Sequence, residues 1–271
     1  MSLQMKRWRS LLALGLMTMI MQTVGCSQVV IGGKSASDVF ADPQTLALVN
    51  AACAGDIHKI DTLVKQGASV NATGYRDMTV LIWTMECHNH GGAERLLRLG
   101  ANPNFKMKQS GDMSATWLAA ESSDPRWLPM VLAHGGDPNI KAAGGFELAL
   151  SAAIEQDRMQ NVKLLLEHGA DVNERYDGSS TAATDAAALA KFDVVEMLLR
   201  HGYDYNLQDL ANGVDARGVP PGTPVAAARL KVLQMLATKG YRPTPRPKGF
   251  VVLPPPPGLS PSSSDSGGGH P

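Results

Sequence analysis

Apolar positions between residues 43 and 240 recur at helical spacing in short blocks separated by polar stretches rich in Gly and Asn. Val162, Leu164 and Leu165 in VKLLLEHG, like Val195, Leu198 and Leu199 in VVEMLLRHG, gather on one side of a helix. Each block ends at a glycine, the residue that enters left-handed backbone at a helix C-terminus at least cost. An Asn follows four positions later, in Gly67/Asn71, Gly100/Asn104, Gly135/Asn139, Gly169/Asn173 and Gly202/Asn206. Successive glycines lie 33, 35, 34 and 33 residues apart. Upstream of the aliphatic blocks sit small-residue helices, NAACAGD, LAAES, SAAIEQD and TDAAALAK, whose alanines let neighbours approach closely. The pattern predicts pairs of short helices, repeated with a period near 33 residues.

The phrases QGASVN, LGANPN, HGGDPN, HGADVN and HGYDYN at that period resemble the ankyrin repeat. The resemblance implies an all-α ankyrin-repeat solenoid over residues 41–241, with five full repeats and a truncated C-terminal cap. The cap is expected from Thr223-Pro224-Val225 to Gly240, spanning 17 residues where Thr79–Gly100 and Thr181–Gly202 span 21. One such unit cannot bury its own apolar face, so stacking must create the core. The stretches 105–115 and 207–222 are longer than an ankyrin hairpin needs, and read as loops available for contacts.

The two ends read differently. Lys6, Arg7 and Arg9 precede the apolar run Leu11–Met21, which is too short to span a bilayer comfortably and leads into Thr23-Val24-Gly25-Cys26. This is the layout of an export signal, with Met5 an alternative start, and TVGC resembles the lipobox of bacterial lipoproteins. The resemblance implies a signal peptide over 1–25, lipidation of Cys26, and a tether over 26–40. Ser27 after the cysteine favours the periplasmic face of the outer membrane over the inner membrane. Nine of the 17 prolines follow Tyr241, so 242–271 reads as an unstructured Pro/Ser/Gly-rich tail.

With 25 Lys+Arg against 25 Asp+Glu the net charge is zero, which argues against a partner held by counterion release from nucleic acid. Nothing resembles a catalytic triad, a phosphate loop or a paired metal motif, so the chain reads as a non-enzyme with no cofactor. Cys87, His88 and His90 lack a second ligand cluster at zinc-site spacing. His134, His168 and His201 each precede a helix-ending glycine, where they suit the helix dipole. With Cys26 lipidated, Cys53 and Cys87 form an even pair. Helix axes at about 8–10 Å stand against a Cα limit of about 7 Å for a disulfide, which leaves their pairing open.

By analogy with ankyrin repeats, the position 14 residues before each terminal glycine faces the concave side. It holds Glu86, Glu121 and Glu155 in three consecutive repeats, a column suited to a basic protein partner or to plain solvation. At the hairpins stand Tyr75, Phe105, Phe146 and Tyr176 with Arg76, Lys106, Lys108 and Arg175, the residue types that concentrate binding energy in interfaces. Trp83, on the first helix of the second repeat, completes the candidate contact set.

The activity expected is therefore binding of a protein by a monomeric, membrane-anchored array. Lipid-anchored ankyrin proteins of this size resemble immunity partners of type VI secretion lipase effectors. The alternative is an envelope scaffold or adaptor for a periplasmic or outer-membrane complex, in stress defence.

Overall fold

The computed structural model describes residues 30–176 and 178–245. The expected signal peptide, Cys26 and most of the Pro-rich tail lie outside them. The described helices, in chain order, are α1 (Ala36–Val39), α2 (Pro43–Ala54), α3 (Ile57–Lys65), α4 (Val80–Glu86), α5 (His90–Arg98), α6 (Ala115–Glu121) and α7 (Trp127–Ala133). They continue as α8 (Ala149–Glu155), α9 (Met159–Glu167), α10 (Ala182–Ala188), α11 (Phe192–Arg200), α12 (Leu207–Ala216) and α13 (Pro224–Thr238). From α2 onward they pair as inner and outer helices of successive repeats. A two-stranded ribbon, β1 (Lys141–Ala142) against antiparallel β2 (Glu147–Leu148), forms the hairpin ahead of α8. Two compact units result: residues 30–116 with 129–136, and 117–128 with 137–245. Among the described residues no helix is long and apolar enough to cross a membrane.

Local chemistry explains where the helices start and stop. The Thr79 hydroxyl accepts from the Ile82 amide at 3.0 Å, Thr181 from Thr184 at 3.2 Å and Thr223 from Ala226 at 3.2 Å, so the threonines of the repeat are N-caps. Outer helices end at glycines in left-handed backbone, as at Gly100 with φ +91°. The Asn of the first four phrases then ties its hairpin to the next repeat, whereas Asn206 caps the helix that follows it and accepts from the Asp209 amide. Asn71 donates to the Gly100 carbonyl at 3.0 Å and accepts from the Asn102 amide at 2.7 Å. Asn104 donates to Gly135 at 2.7 Å, and Asn173 to Gly202 at 3.3 Å. His134, His168 and His201 close their helices through Nδ1 and the carbonyl four residues back, at 2.8–2.9 Å.

Inner-helix C-termini are satisfied by the following repeat. Asn89 donates to the Cys53 carbonyl at 3.2 Å, Arg158 to the Glu121 carbonyl at 2.9 Å, and Lys191 to the Ile154 carbonyl. Asn161, 3% exposed, adds bonds to the carbonyls of Ala119, Ala120 and Ser122. Each replaces a hydration partner that a buried helix end would otherwise lose.

Three sequence expectations change here. The tether over 26–40 is not wholly a tether: Val39 and Phe40 are buried, and the Phe40 ring meets Trp83 edge-on at 5.6 Å between centroids. This apolar pair closes the start of the first unit. The stretch 207–222 is not a long loop. Leu207, Leu210, Ala211 and Val214, at i, i+3, i+4 and i+7, are the buried face of α12, which packs on α10 as an inner helix. The cap is therefore a helix pair, with the region from Thr223 supplying only its outer member, α13. Finally, Cys53 and Cys87 are disulfide-bonded with Cα atoms 5.4 Å apart. General helix-axis spacing misjudges this pair because both cysteines stand at the C-terminal ends of α2 and α4, where the repeats converge. Gly92 permits that convergence: a Cβ there would lie 2.1 Å from the Ala52 carbonyl oxygen.

Candidate partner-binding surface

In the first unit the hairpin after α3 carries Tyr75, Arg76 and Asp77 in a short 3-10 turn, with Arg76 and Asp77 in left-handed backbone at φ +56° and +62°. The turn projects Tyr75 into solvent at 55% exposure, with the Lys34 ammonium 4.7 Å from its ring centroid. Arg76 is tied down. Its guanidinium donates to the Gln109 carbonyl at 3.1 and 2.5 Å, while Asp77 accepts from the Gln109 amide at 3.2 Å. The next hairpin is thereby fixed on the first, with Lys106 and Lys108 exposed and Phe105 half-buried. Met107, 2% exposed, anchors it from beneath.

In the second unit Phe146, following the β1–β2 turn, is 51% exposed, whereas its neighbour Glu147 is buried. The hairpin between α9 and α10 behaves otherwise. Tyr176 is half-buried and its hydroxyl donates to Asp185 on α10. Burial first, then the Asp185 carboxylate, raises the Tyr176 pKa, with Glu155 adding to the rise and the neighbouring Ser151 opposing it. Arg175 stacks over the Tyr205 ring at 5.1 Å and its carbonyl accepts from Lys141, which also pairs with Glu174. An open cleft of about 540 Å³ runs beside this hairpin, lined by Asn173, Glu174, Arg175, Tyr176 and Gly178. Being open and polar, it lacks the water exclusion that acid–base chemistry uses.

The three carboxylates of the expected column occupy equivalent places, each the last residue of an inner helix: Glu86 on α4, Glu121 on α6 and Glu155 on α8. All are half-buried. Desolvation raises the pKa of Glu86, with the nearby His88 pulling the other way. The backbone carbonyls of Glu121 and Glu155 receive Arg158 and Lys191, so this position serves the junction between repeats as well as the surface.

Trp83 must leave the contact set. It is 1% exposed, packed against Phe40, and belongs to the core. Its place on an inner helix does not distinguish the exposed side from the packed one. Cys87 has no thiolate to offer a metal because it is bonded to Cys53, and no group of three His, Cys, Asp or Glu among the described residues could hold one. Sequence reasoning missed Lys34 and Asp185, the former lying in the supposed tether and the latter in an alanine-rich stretch.

Comparison with known proteins matches residues 116–209 to the family model described as ankyrin repeats, in three copies. A putative ankyrin repeat protein of fowlpox virus is 28% identical over 145 residues, covering 51% of this chain and 42% of that protein. Protein PhlB of Serratia liquefaciens is 29% identical over 132 residues, covering 49% of this chain and 57% of its own length. The chain spans 8–57% of the length of the curated relatives it matches. Among solved structures, an ankyrin repeat domain from Acinetobacter baumannii AYE superposes with a TM-score of 0.57 at 24% identity, covering 72% of this chain and 98% of that one. The fold is that of an all-α ankyrin-repeat domain, an architecture that implies protein–protein interaction.

Proposed function

We propose that this ankyrin-repeat protein is a lipid-anchored periplasmic binder, and that its partner is a phospholipase effector of type VI secretion that it neutralises. The observation that carries the reading is the Cys53–Cys87 disulfide. Such bonds persist in oxidising compartments, in keeping with an export signal that ends in Cys26. The exposed Tyr75 and Phe146 suit a protein partner, since aromatic anchors dominate binding energy. Anchored through Cys26, the array would stand on the same membrane surface that a phospholipid-cleaving toxin attacks.

The test is a pull-down of the soluble form beginning at Ser27 against the products of neighbouring reading frames, paired with a competition assay. Capture of a phospholipase and protection of cells that express it support the proposal. Binding to neither a co-encoded phospholipase nor its producer's toxin overturns it. A deletion phenotype in toxin-free cells, with capture of a resident envelope protein, replaces it with the envelope-scaffold reading.

A further inference from the structure

We infer that the hairpin rim of the first unit, formed by Lys34, Tyr75, Arg76, Lys106 and Lys108, is the docking site for an acidic segment of a protein partner. This deepens the reading of the array as a protein binder and rests on that reading, but not on the partner being a phospholipase.

Two adjoining hairpins build the rim as one piece. Arg76 donates to the Gln109 carbonyl, Asp77 accepts from the Gln109 amide, and the Ser110 hydroxyl donates to the Arg76 carbonyl at 3.3 Å. Met107 pins the second hairpin from beneath through its bridge to Met113, and its neighbours Lys106 and Lys108, which alternate with it along the chain, are both exposed. Lys34 lies over the Tyr75 ring, so ammonium and phenol fix each other at the edge of the same rim. An exposed aromatic ring is thus set among positioned cations, with Tyr and Arg the residue types in which interfaces concentrate affinity.

The charge of this rim is not neutralised within the protein. Among the described residues no carboxylate stands within ion-pair distance of Lys34, Arg76, Lys106 or Lys108. Elsewhere the pattern is the opposite: Arg95 pairs with Asp61, Arg229 with Asp215 and Lys231 with Glu196. The hairpins of the second unit follow that pattern too, since Lys141 pairs with Glu174 and Arg175 rests on the Tyr205 ring. The bonds from Arg76 to Gln109 use Nε and Nη2, which leaves the Nη1 end of the guanidinium for a carboxylate, the group that its planar fork grips best. A lipid surface or a nucleic acid presents an extended front of phosphates and is held by uninterrupted clusters of cations. Here Asp77 and Asp112 interrupt the positive surface, and the whole chain has no net charge. A short acidic stretch of a protein, with its carboxylates on the cations and an apolar group on Tyr75, fits the rim better.

The test selects binders from a random peptide library on the full chain with Cys26→Ser, the native disulfide intact. Recovered peptides should be rich in Asp and Glu, and they should associate about tenfold or more slowly with Lys34→Ser/Lys106→Ser/Lys108→Ser, a loss that added salt reproduces on the native residues. Lys106→Glu/Lys108→Glu should turn the selection toward Lys- and Arg-rich peptides with the melting temperature unchanged. Recovered peptides without acidic enrichment overturn the proposal, as does an association rate indifferent to the triple substitution or retention of acidic peptides by the charge-reversed protein. Binding to phosphatidylglycerol vesicles or duplex DNA that the triple substitution abolishes, with no acidic peptide retained, overturns it in favour of a phosphate surface. A phospholipase captured equally by the native rim and the triple variant defeats this inference alone. Selection of acidic peptides by a protein that captures no phospholipase defeats only the toxin assignment.

Discussion

Removing the Cys53–Cys87 bond offers a quantitative test of how the first unit is held together. The bond closes a loop of sequence separation 34, and the chain-entropy relation for such a loop gives about 3.8 kcal/mol of stabilisation as an upper figure. For a cooperative domain of about 200 residues, each kcal/mol moves the melting temperature by roughly 2–4 °C, so a shift on the order of 8–15 °C would follow. The bond joins only α2 to the end of α4, however, and repeat arrays communicate through nearest neighbours. The loss should therefore concentrate in the first helix pair, appearing as an earlier melting phase rather than a uniform shift. Calorimetry with and without reductant, on wild type and on Cys53→Ser/Cys87→Ser, reads the temperature. Hydrogen exchange over 43–65 reads the location. A reduced protein that melts within about 2 °C of the oxidised one, with unchanged exchange in α2 and α3, would refute the reasoning.

Gly92→Ala should destabilise by about 1–3 kcal/mol in urea titrations, since the new methyl would meet the Ala52 carbonyl backbone and not a yielding side chain. Trp83→Ala should cost about 3–5 kcal/mol of stability, whereas Tyr75→Ala with Phe146→Ala should leave melting unchanged and weaken partner binding by about tenfold or more in calorimetric titration. Glu86→Gln should raise the melting temperature at pH 7. Burial lifts the pKa of Glu86, so its contribution is fully present below the ordinary carboxylate range and is lost as pH rises through the lifted value. The gain from Gln should accordingly shrink as the pH falls below about 4, and a gain independent of pH would contradict that cause.

The parts of this fold legible in its sequence are those where one residue type has one task. The Gly and Asn of the repeated phrase are readable because at Asn71, Asn104 and Asn173 the side chain of one repeat bonds the glycine carbonyl of the next, and the spacing between them fixes the period. The α12 helix escaped for the opposite reason. Its apolar pattern at 207, 210, 211 and 214 is regular, but Thr223-Pro224 supplies the stronger helix-start signal and draws the repeat boundary downstream. Trp83 shows that an inner helix of mostly small or aliphatic residues does not declare which side is covered. Of the candidate contacts, exposure at Tyr75 and Phe146 came from turn chemistry local to each hairpin. The withdrawal of Tyr176 depends instead on Asp185 from the following helix, nine residues on, which no hairpin pattern encodes.

The side-chain bonds that cross the junctions limit how such a chain can change length. Asn71, Asn104 and Asn173 reach forward from one repeat to the next, while Asn89, Arg158 and Lys191 reach back to the inner helix before them. Excising one repeat would strip a donor from one neighbour and an acceptor from the other, whereas duplicating a full period copies both halves of the joint. Length can vary at least cost at the hairpin tips, beyond the Asn and before the next helix start, where only tip-to-tip bonds such as those of Arg76 and Asp77 to Gln109 are at stake. The stretch from Phe105 to Ser114 lies in such a place. Evolution of this array is thus quantised along its axis and continuous at its rim, so recognition can diversify at the tips while the spacing of the scaffold stays fixed.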